Sequence, residues 1–305
     1  MPALAIAITG ASGFIGSAAV RHFERAGHEV IRLVRGGNSA PGTALWDPAT
    51  GEIGRSGSGS MDVVVHLAGE NIATKRWSSA RKRAIADSRI PATERLCRRL
   101  AALDPKPRVL VSASAVGIYG DRGDELLDES SAPGTGFLAE VTKDWEAATR
   151  PASDAGIRVV NLRLGVVLDP SGGALRAMLL PFRLGLGGRL GHGRQWFSWI
   201  SLEDLVRVIG FAIEREALAG PVLAVAPEPV TNRVLTTTLG RALRRPTVLP
   251  VPAFALRLAL GGMANELLAS VRCRPARLLA AGFPFAHAQL ASCLQEQLSK
   301  ARAGA

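Results

Sequence analysis

The chain has 305 residues, enough to bury a sizeable core as one large domain or two of ordinary size. Hydrophobic residues form 47% of it, yet no uninterrupted apolar run reaches the roughly 18 residues that a membrane span needs. The formal net charge of +11 comes mainly from arginines spread along the chain, and aromatic side chains for base stacking are few. We therefore expect neither a nucleic acid nor a membrane as a partner.

Cysteine and histidine usage indicates a reducing compartment and no metal site. The three cysteines lie far apart and form no C-x-x-C pair, at Cys97, Cys273 and Cys293. The five histidines likewise show no metal-ligand spacing. Since the chain opens on a strand instead of a basic and apolar leader, we predict a cytoplasmic location.

A glycine-rich turn at residues 9–16 (TGASGFIG) joins an apolar strand to a helix predicted to end at Gly27. In such a turn the first glycine permits the tight bend, the second lets amides approach a pyrophosphate, and the third lets the helix pack on the strand. The helix N-terminus adds unpaired N–H groups and a positive dipole end. The alternative interpretation of the glycine spacing is an ordinary turn that binds no cofactor. We predict six cofactor-binding residues here: Gly10, Ser12, Gly13, Phe14, Ile15 and Gly16.

The residue at the end of the second strand distinguishes between cofactors. An acidic side chain there would bond a free 2′-hydroxyl of the adenosine ribose, whereas an arginine pairs with a 2′-phosphate. This chain has Arg35, which favours NADP over NAD; an ordinary surface arginine is the alternative. Asp47, ahead of Pro48, either accepts a hydrogen bond from the adenine amino group or forms a turn.

Three further apolar runs, at residues 61–69, 108–114 and 157–164, predict central parallel strands buried on both faces. Ligands of a doubly wound sheet lie beyond the carboxyl ends of its strands. Ser114 is therefore placed where its hydroxyl could reach a reacting carbonyl or alcohol. Cofactor contacts are expected from Leu67, Ala68, Gly69, Ser112, Arg163 and Leu164.

The helices between these strands complete an α/β pattern. Residues 77–103 have helical spacing, with Pro91 expected to bend or break the helix, and residues 137–155 predict another helix. Alternating strands and helices predict a Rossmann-type doubly wound parallel sheet. Arg163 could pair with an acid on a helix instead of the cofactor, and His66 is expected to be a satisfied core histidine.

Beyond Gly165 the pattern is mixed. A glycine-rich loop at residues 187–196 carries polar and aromatic side chains, and Ser201 and Thr231 are predicted to cap helices. A final helical region is predicted at residues 253–298, followed by a frayed tail at 299–305. We divide the chain into a cofactor-binding domain, residues 1–165 plus about 195–225, and a smaller, mostly helical substrate lobe, residues 166–194 plus 226–305.

Taken in order, the motifs resemble the extended short-chain dehydrogenase/reductase superfamily, and within it an epimerase family branch whose C-terminal extension has no known function. The matching segments are residues 9–16, 46–48, 66–72, 75–77 with 88–89 and 93, 112–120, 137–140 with 145–146, 163–168, 193–200, 226–232, and 275 with 281–283. This resemblance implies a Rossmann domain that holds NADP and a C-terminal lobe that closes over a small-molecule substrate. It also implies a homodimer, because many relatives pair through helices beside the sheet.

The catalytic residues that this resemblance implies are only partly present. In related enzymes a serine, a tyrosine and a lysine four residues after the tyrosine transfer the proton. Ser114 matches, but Tyr119 is the only tyrosine, Gly123 lies four residues after it, and residues 137–142 carry neither Tyr nor Lys. The acid/base candidates are therefore Ser114, Tyr119, Glu70, Glu140 and Lys143.

The substrate side shows departures as well. Ser201, Glu203 and Leu223 stand where the branch is expected to have His, Asp and Asn. We assign substrate contacts to Asn71, Arg76, Trp77, Gln195 and Trp196, although Arg76 and Trp77 could only cap the crossover helix. Three functions remain open: an NADP-dependent reductase or epimerase acting on a small carbonyl or hydroxyl compound, a non-redox lyase, isomerase or cyclase, and an NADP-sensing binding protein.

Overall fold

A computed structural model of the chain describes residues 2–36, 41–54, 60–73 and 76–303. Parts of two predicted loops, residues 37–40 and 55–59, and Lys75 of the matching segments lie outside the described residues. Strands and helices alternate through the first half: β1 (Ala5–Thr9), α1 (Phe14–Arg25), β2 (Glu29–Val34), β3 (Thr43–Leu45), β4 (Val63–His66), α2 (Ser79–Asp87), α3 (Ile90–Ala101), β5 (Val109–Ala115), β6 (Leu126–Leu127), α4 (Phe137–Ala147), α5 (Arg150–Asp154) and β7 (Arg158–Leu164).

Short strands and helices make up the second half of the chain. Their bounds are β8 (Val166–Asp169), α6 (Gly173–Arg183), β9 (Trp196–Phe197), β10 (Trp199–Ser201), α7 (Leu202–Glu214), β11 (Gly220–Ala224), β12 (Val230–Thr231), α8 (Asn232–Leu243), α9 (Ala253–Leu260), α10 (Met263–Leu268), β13 (Arg272–Cys273), α11 (Ala276–Ala280) and α12 (Leu290–Ala303). Across the described ranges, no helix has the length and apolar character needed to cross a bilayer.

Within the described residues, seven strands form a parallel sheet in the order β3-β2-β1-β4-β5-β7-β11. The predicted Rossmann-type α/β fold with a helical C-terminal region is confirmed. The register aligns Thr9 and His66, the last residues of β1 and β4, with Ser112 of β5, which continues to Ala115. The carboxyl ends of the three parallel strands therefore lie at one edge of the sheet. Strand β11 had no sequence prediction; it pairs with β7 and extends the sheet.

Helices cover both faces of this sheet. On one face α1 and α7 contribute Phe23, Leu205 and Ile209 to a core that includes the buried valines of β4 and β5. On the other face α3 contributes Leu96 and Leu100 to a second core. Burial on both faces explains why the strand sequences are continuously apolar instead of alternating.

Prolines divide the predicted long helices. The run at 77–103 forms α2 and α3, and Pro91 lies in the first turn of α3, as predicted. The run at 137–155 also divides, because Pro151 starts α5 and cannot continue α4. The predicted frayed tail is wrong for residues 299–303. There α12 continues, with Leu298 buried and Lys300 paired with Glu296 one turn earlier.

The C-terminal lobe has its own apolar core, to which α6, α8 and α12 contribute Leu179, Leu239 and Leu294. The predicted caps are present, since Ser201 accepts a hydrogen bond from the Asp204 amide and Thr231 accepts one from the Val234 amide. The division into a cofactor domain and a substrate lobe stays a prediction.

A buried carboxylate joins the lobe to α7. The Asp204 side chain is fully buried and accepts hydrogen bonds from the amides of Ala286 and His287, each at 2.8 Å, and from Arg207. These bonds hold the segment that precedes α12 against the start of α7.

Two helical glycines differ in their surroundings. A Cβ on Gly16 would lie 2.1 Å from the Gly10 carbonyl oxygen, so α1 packs on the turn at backbone distance. A Cβ on Gly210 in α7 would meet nothing nearer than 3.7 Å, at Phe23.

We therefore predict opposite effects for the same substitution at these two sites. Gly16→Ala should lower the free energy of unfolding by about 1–3 kcal/mol, because the turn must move away from the helix. Gly210→Ala should raise it by up to about 1 kcal/mol, because alanine favours a helix and has room. Urea unfolding of both variants measures the difference, and equal values would contradict the close packing at Gly16.

Candidate functional site

The glycine turn lies at the carboxyl edge of the sheet. Gly10 has a φ of +67°, and a Cβ there would lie 2.9 Å from the backbone of Leu67, so only glycine suits the position. Ser12 and Gly13 are exposed, and the first turn of α1 contains no acidic residue. The backbone amides at this helix start therefore face no negative side chain of their own turn, as an anion site requires.

A second pair of glycines, Gly172 and Gly173, packs against Phe14 at the start of α1. A Cβ on Gly172 would lie 2.3 Å from the ring of Phe14, and one on Gly173 would lie 3.0 Å from it. The ring therefore packs flat against the backbone that leads into α6. The sequence predicted only a turn at Gly172 and Gly173, although two adjacent glycines are also a signal for close backbone contact.

The end of β2 presents one exposed arginine. Arg32 forms an ion pair with Glu24 of α1, whereas Arg35 is exposed at the point where β2 ends. Asp47 is also exposed, and its carboxylate accepts a hydrogen bond from the Ala49 amide at 2.8 Å. This is the turn-forming geometry that the sequence left as one alternative, and the carboxylate keeps further acceptor capacity.

A chain of buried polar groups holds the end of β4. The Thr9 hydroxyl accepts hydrogen bonds from the amides of Leu67 and Ala68 at 3.1 and 3.2 Å. His66 contacts the Thr9 hydroxyl through Nδ1 at 2.7 Å and the Thr93 hydroxyl through Nε2 at 2.9 Å. Burial lowers the pKa of His66 to about 4, so the imidazole is neutral. His66 is a satisfied core histidine, as predicted.

Arginines surround the residues that follow β4. Arg81 forms an ion pair with Glu70 at 2.9 Å, and Arg89 donates to the Glu70 carbonyl at 3.0 Å. A Cβ on Gly69 would lie 3.3 Å from the Arg89 guanidinium, whose pKa burial lowers to about 10. The hydrogen bond from Arg81, with the charges of Arg81, Arg35 and Arg89, lowers the pKa of Glu70 and keeps it ionised. Glu70 remains partly exposed at the carboxyl edge.

Ser114, the predicted catalytic serine, is hydrogen-bonded to a buried ion pair. Ser114 donates its hydroxyl proton to Glu146 of α4 at 2.6 Å, and Arg163 donates to both carboxylate oxygens of Glu146 at 2.9 Å. Burial disfavours the charge on Arg163, but the hydrogen bonds and charge of Glu146 outweigh this effect and raise the pKa of Arg163. The three groups form one closed network.

Tyr119 belongs to the same network. Its hydroxyl donates to the Asp128 carbonyl at 2.7 Å and accepts from Arg163 at 2.8 Å, and the side chain is fully buried. Burial raises the pKa of the phenol further above neutrality. The roles predicted for Ser114 and Tyr119 in acid/base chemistry, and for Arg163 at the cofactor, stay predictions. Each group is buried and bonded to the protein, and Arg163 takes its alternative role as partner of a helix acid.

Two other acid/base candidates lie on the wrong side of α4. Glu140 and Lys143 are exposed, whereas the buried face of this helix carries Ala139, Thr142 and Trp145. The structure does not bring Glu140 or Lys143 to Ser114. Among the five predicted acid/base residues, Glu70 combines partial exposure with a place at the carboxyl edge.

The predicted substrate residues near α2 serve the contact with the C-terminal lobe. Trp77 is buried, donates from its indole to the Ile72 carbonyl at 2.7 Å and packs edge-on against Phe137. Its amide donates to the Leu260 carbonyl at 3.3 Å. The ring is buried against the protein, and the substrate contact predicted for Trp77 stays a prediction.

Arg76 and Asn71 stay accessible on this side. Arg76 is exposed beside Gly261, and exposed Asn71 accepts a hydrogen bond from the Ala73 amide through its side chain. Their predicted contact with a substrate stays a prediction.

Gln195 and Trp196 likewise hold the lobe together. Gln195 is 3% exposed and donates to the Leu190 carbonyl, while its side-chain oxygen has no partner within the described residues. The Trp196 indole donates to Asp124 at 2.7 Å, and Arg272 stacks over its ring at 4.3 Å. The substrate contact predicted for Trp196 stays a prediction, and the unpaired oxygen of Gln195 leaves its predicted polar role open.

Ser112 lies in the middle of β5, and Leu164 is the last residue of β7. Ser112 is fully buried, and Leu164 is partly buried against the core under α1 and α7. Their predicted contacts with the cofactor stay predictions.

A carboxylate and histidine group lies in the lobe, outside this site. Glu203, His287 and Glu296 bring potential ligand atoms within 4.8 Å of one another. The ammonium of Lys300 already pairs with Glu296 at 2.6 Å and Glu203 at 3.8 Å, so a protein cation balances the two carboxylates.

The Glu146–Arg163 pair should contribute strongly to stability. Glu146→Gln leaves the buried guanidinium without its counter-charge and should lower the free energy of unfolding by about 3 kcal/mol or more. Glu94 forms an exposed pair with Arg98 on α3, so Glu94→Gln should change it by less than about 0.5 kcal/mol. Chemical denaturation of the two variants tests this, and similar losses would contradict the role assigned to the buried pair.

His66 should make stability fall in mild acid. Its pKa is near 6.5 when unfolded and about 4 when folded, so the unfolded chain binds the proton first as the pH falls through this window. The free energy of unfolding should then decrease by up to about 3 kcal/mol between about pH 6.5 and 4. His66→Gln should remove most of this slope in urea titrations, leaving the smaller part from His22, whose pKa burial also lowers. An unchanged slope in His66→Gln would contradict the assignment.

Comparison with known proteins shows the family. Residues 6–226 match the model described as NAD dependent epimerase/dehydratase family, and residues 251–297 match a domain of unknown function, DUF1731. The epimerase family protein Mb2239 of Mycobacterium bovis is 48% identical over 290 residues, which cover 95% of this chain and 96% of that protein.

Two solved structures agree with this assignment. The crystal structure of human epimerase family protein SDR39U1 (isoform 2) with NADPH has a TM-score of 0.90 at 34% identity, covering 97% of this chain and 99% of that chain. A nucleoside-diphosphate sugar epimerase from Corynebacterium glutamicum has a TM-score of 0.80 at 38% identity, covering 98% of this chain and 59% of that chain. The chain belongs to the NAD-dependent epimerase/dehydratase family and, with its DUF1731 C-terminal domain, is similar to the SDR39U1 proteins.

Proposed function

We propose that this protein binds NADPH along the carboxyl edge of its sheet and acts as a reductase or epimerase on a small carbonyl or hydroxyl compound. The observation that carries the cofactor assignment is Arg35. It is exposed at the end of β2, while the neighbouring Arg32 is engaged by Glu24. Residues 30–46 contain no acidic side chain that could hydrogen-bond the free 2′-hydroxyl of NAD.

The remaining cofactor contacts follow from the edge geometry. Amides of residues 12–16 would hold the pyrophosphate at the start of α1, and the backbone of Gly10 gives it room. The backbone of 67–69, fixed by the Thr9 hydroxyl, would border the dinucleotide on the β4 side. NADPH bound to the human SDR39U1 protein supports this proposal.

The proton-transfer part of the site differs from that of related enzymes. NADPH supplies a hydride when bound, and a reductase also needs a group that handles a proton. Ser114 and Tyr119 are committed to the Glu146 network, so we propose Glu70 for this role. As an ionised, partly exposed carboxylate held by Arg81, it would accept the proton of a substrate hydroxyl in the oxidative direction, and in the reductive direction it would pass a proton from solvent to the alkoxide.

A binding protein that responds to NADPH without turnover is the second candidate. The burial of both predicted catalytic hydroxyls favours it, because each donates its hydrogen bond to a protein group. The proposed location is the cytoplasm, in agreement with three buried free thiols.

Arg35→Ala should weaken NADPH binding by about 10- to 100-fold, because a charge-assisted contact with the 2′-phosphate is lost. NADH affinity should not change. Arg32→Ala is the matched control, since its guanidinium pairs with Glu24, and it should retain NADPH affinity. Calorimetric titration of the three proteins with both nucleotides measures this, and equal NADPH affinity in Arg35→Ala would overturn the assignment.

The same preparations distinguish the two candidate functions. A panel of small carbonyl compounds is incubated with protein and NADPH, and NADPH oxidation is followed by absorbance. Turnover of any compound supports the enzyme. Tight NADPH binding without turnover across the panel supports the binding protein.

A further inference from the structure

Exposed apolar side chains are concentrated on the C-terminal lobe. Seven of the ten large hydrophobic side chains that are exposed among the described residues belong to three neighbouring segments of it. We call this set the apolar patch; it consists of Leu180, Leu184, Leu186, Val248, Leu249, Phe254 and Leu258. Val248, Phe254 and Leu258 are 78%, 73% and 76% exposed, so they project from the surface instead of lining a groove.

Backbone contacts make the patch continuous. Residues 185–191, which follow α6, run beside residues 246–251, which precede α9. The Val251 amide donates to the Arg189 carbonyl at 2.8 Å, and the Gly191 amide donates to the Val251 carbonyl at 2.9 Å. A Cβ on Gly188 would lie 1.5 Å from the Leu249 carbonyl oxygen, so the two segments touch at backbone distance. The end of α6 and the start of α9 are thereby held side by side.

The chain segments that carry the patch contain charge of one sign. Residues 170–202 and 229–265 contain nine arginines and neither aspartate nor glutamate, so they account for most of the net charge of +11. Four exposed arginines alternate with the patch residues along the chain: Arg183, Arg189, Arg245 and Arg257. None of these four takes part in an ion pair within the described ranges.

The apolar patch and its arginines together limit the kind of partner that can bind this surface. A second copy of the chain would bring arginines against arginines, and like charges across an interface oppose association. The occupant must therefore be anionic. A folded acidic protein would be positioned by alternating charges and shaped pockets, whereas this surface offers a single sign of charge and protruding side chains. Apolar anchors among arginines are typical of proteins that bind at a lipid headgroup interface.

We propose that the apolar patch and its four arginines dock the protein on an anionic lipid bilayer. The patch side chains enter the boundary between headgroups and acyl chains, and the guanidinium groups pair with lipid phosphates. Docking places the lobe on the membrane without a spanning helix. It is independent of the proposed reaction.

Vesicle co-sedimentation tests the proposal with the whole protein. Vesicles of phosphatidylcholine alone are compared with vesicles that also contain phosphatidylglycerol, at low and at raised salt. The wild type should bind the anionic vesicles about tenfold or more tightly than the neutral ones, and salt should weaken this binding.

Paired variants identify the surface. Phe254→Ser with Leu258→Ser should reduce binding to anionic vesicles about tenfold, whereas Leu45→Ser with Leu126→Ser, exposed elsewhere, should not. Arg183→Gln with Arg257→Gln should reduce binding by a similar factor, and Arg83→Gln with Arg99→Gln on α2 and α3 should do so less. Circular dichroism melting checks that all four variants fold.

Two outcomes would overturn the proposal. One is equal or no binding of the wild type to the two vesicle types. The other is binding that the patch variants leave unchanged. Salt-sensitive capture on immobilised polyglutamate without vesicle binding would assign the surface to an acidic protein and exclude the lipid.

Discussion

The Glu146 carboxylate holds together α4, β5, β7 and the loop around Tyr119. It accepts hydrogen bonds from the Ser114 hydroxyl and from two nitrogens of the Arg163 guanidinium. The third nitrogen of Arg163 donates to the Tyr119 hydroxyl. A buried guanidinium without this partner would be an uncompensated charge, so the network stays intact or the region unfolds. The rest of the site is arranged around that constraint.

This constraint explains why the two halves of the site differ. The cofactor half keeps the features that dinucleotide binding requires: glycines at backbone contact, an acid-free start of α1 and an exposed arginine at the end of β2. In the catalytic half, the hydroxyls that resemble family catalysts stabilise an ion pair instead. Glu70, which Arg81 holds at the carboxyl edge of the sheet, is the group that we propose for proton transfer.

The lobe adds a property that neither half of the site requires. Its arginines lie on segments without any acid, and the same segments expose the apolar patch. The expectation of no membrane partner rests on the lack of an apolar span, and docking on a bilayer surface needs none. Periodicity along the sequence could not show this surface, because its side chains come from α6, α9 and the loops before them.

Local patterns by themselves determined the elements of this fold. Continuous apolar runs predicted β4, β5 and β7 because buried parallel strands need no alternation, and Pro91, Ser201 and Thr231 marked helix ends through their own chemistry. The glycine turn and Arg35 could be located because both positions depend on neighbours within one βαβ unit. Strand β11 and the α12 extension were missed, since each depends on a distant partner: β7 for the first and the lobe core for the second.

Only the tertiary structure decided which polar groups are free. Ser114 and Tyr119 look available in the sequence, and so does Arg163. Their state depends on Glu146, which lies 32 positions from Ser114 and 17 from Arg163 and meets both in the interior. Hydrogen-bond satisfaction is a property of three-dimensional neighbours, whereas sequence spacing fixes only the element on which a side chain stands. For that reason the sequence determined the fold, whereas the folded chain decided which protein groups its catalytic candidates bond to.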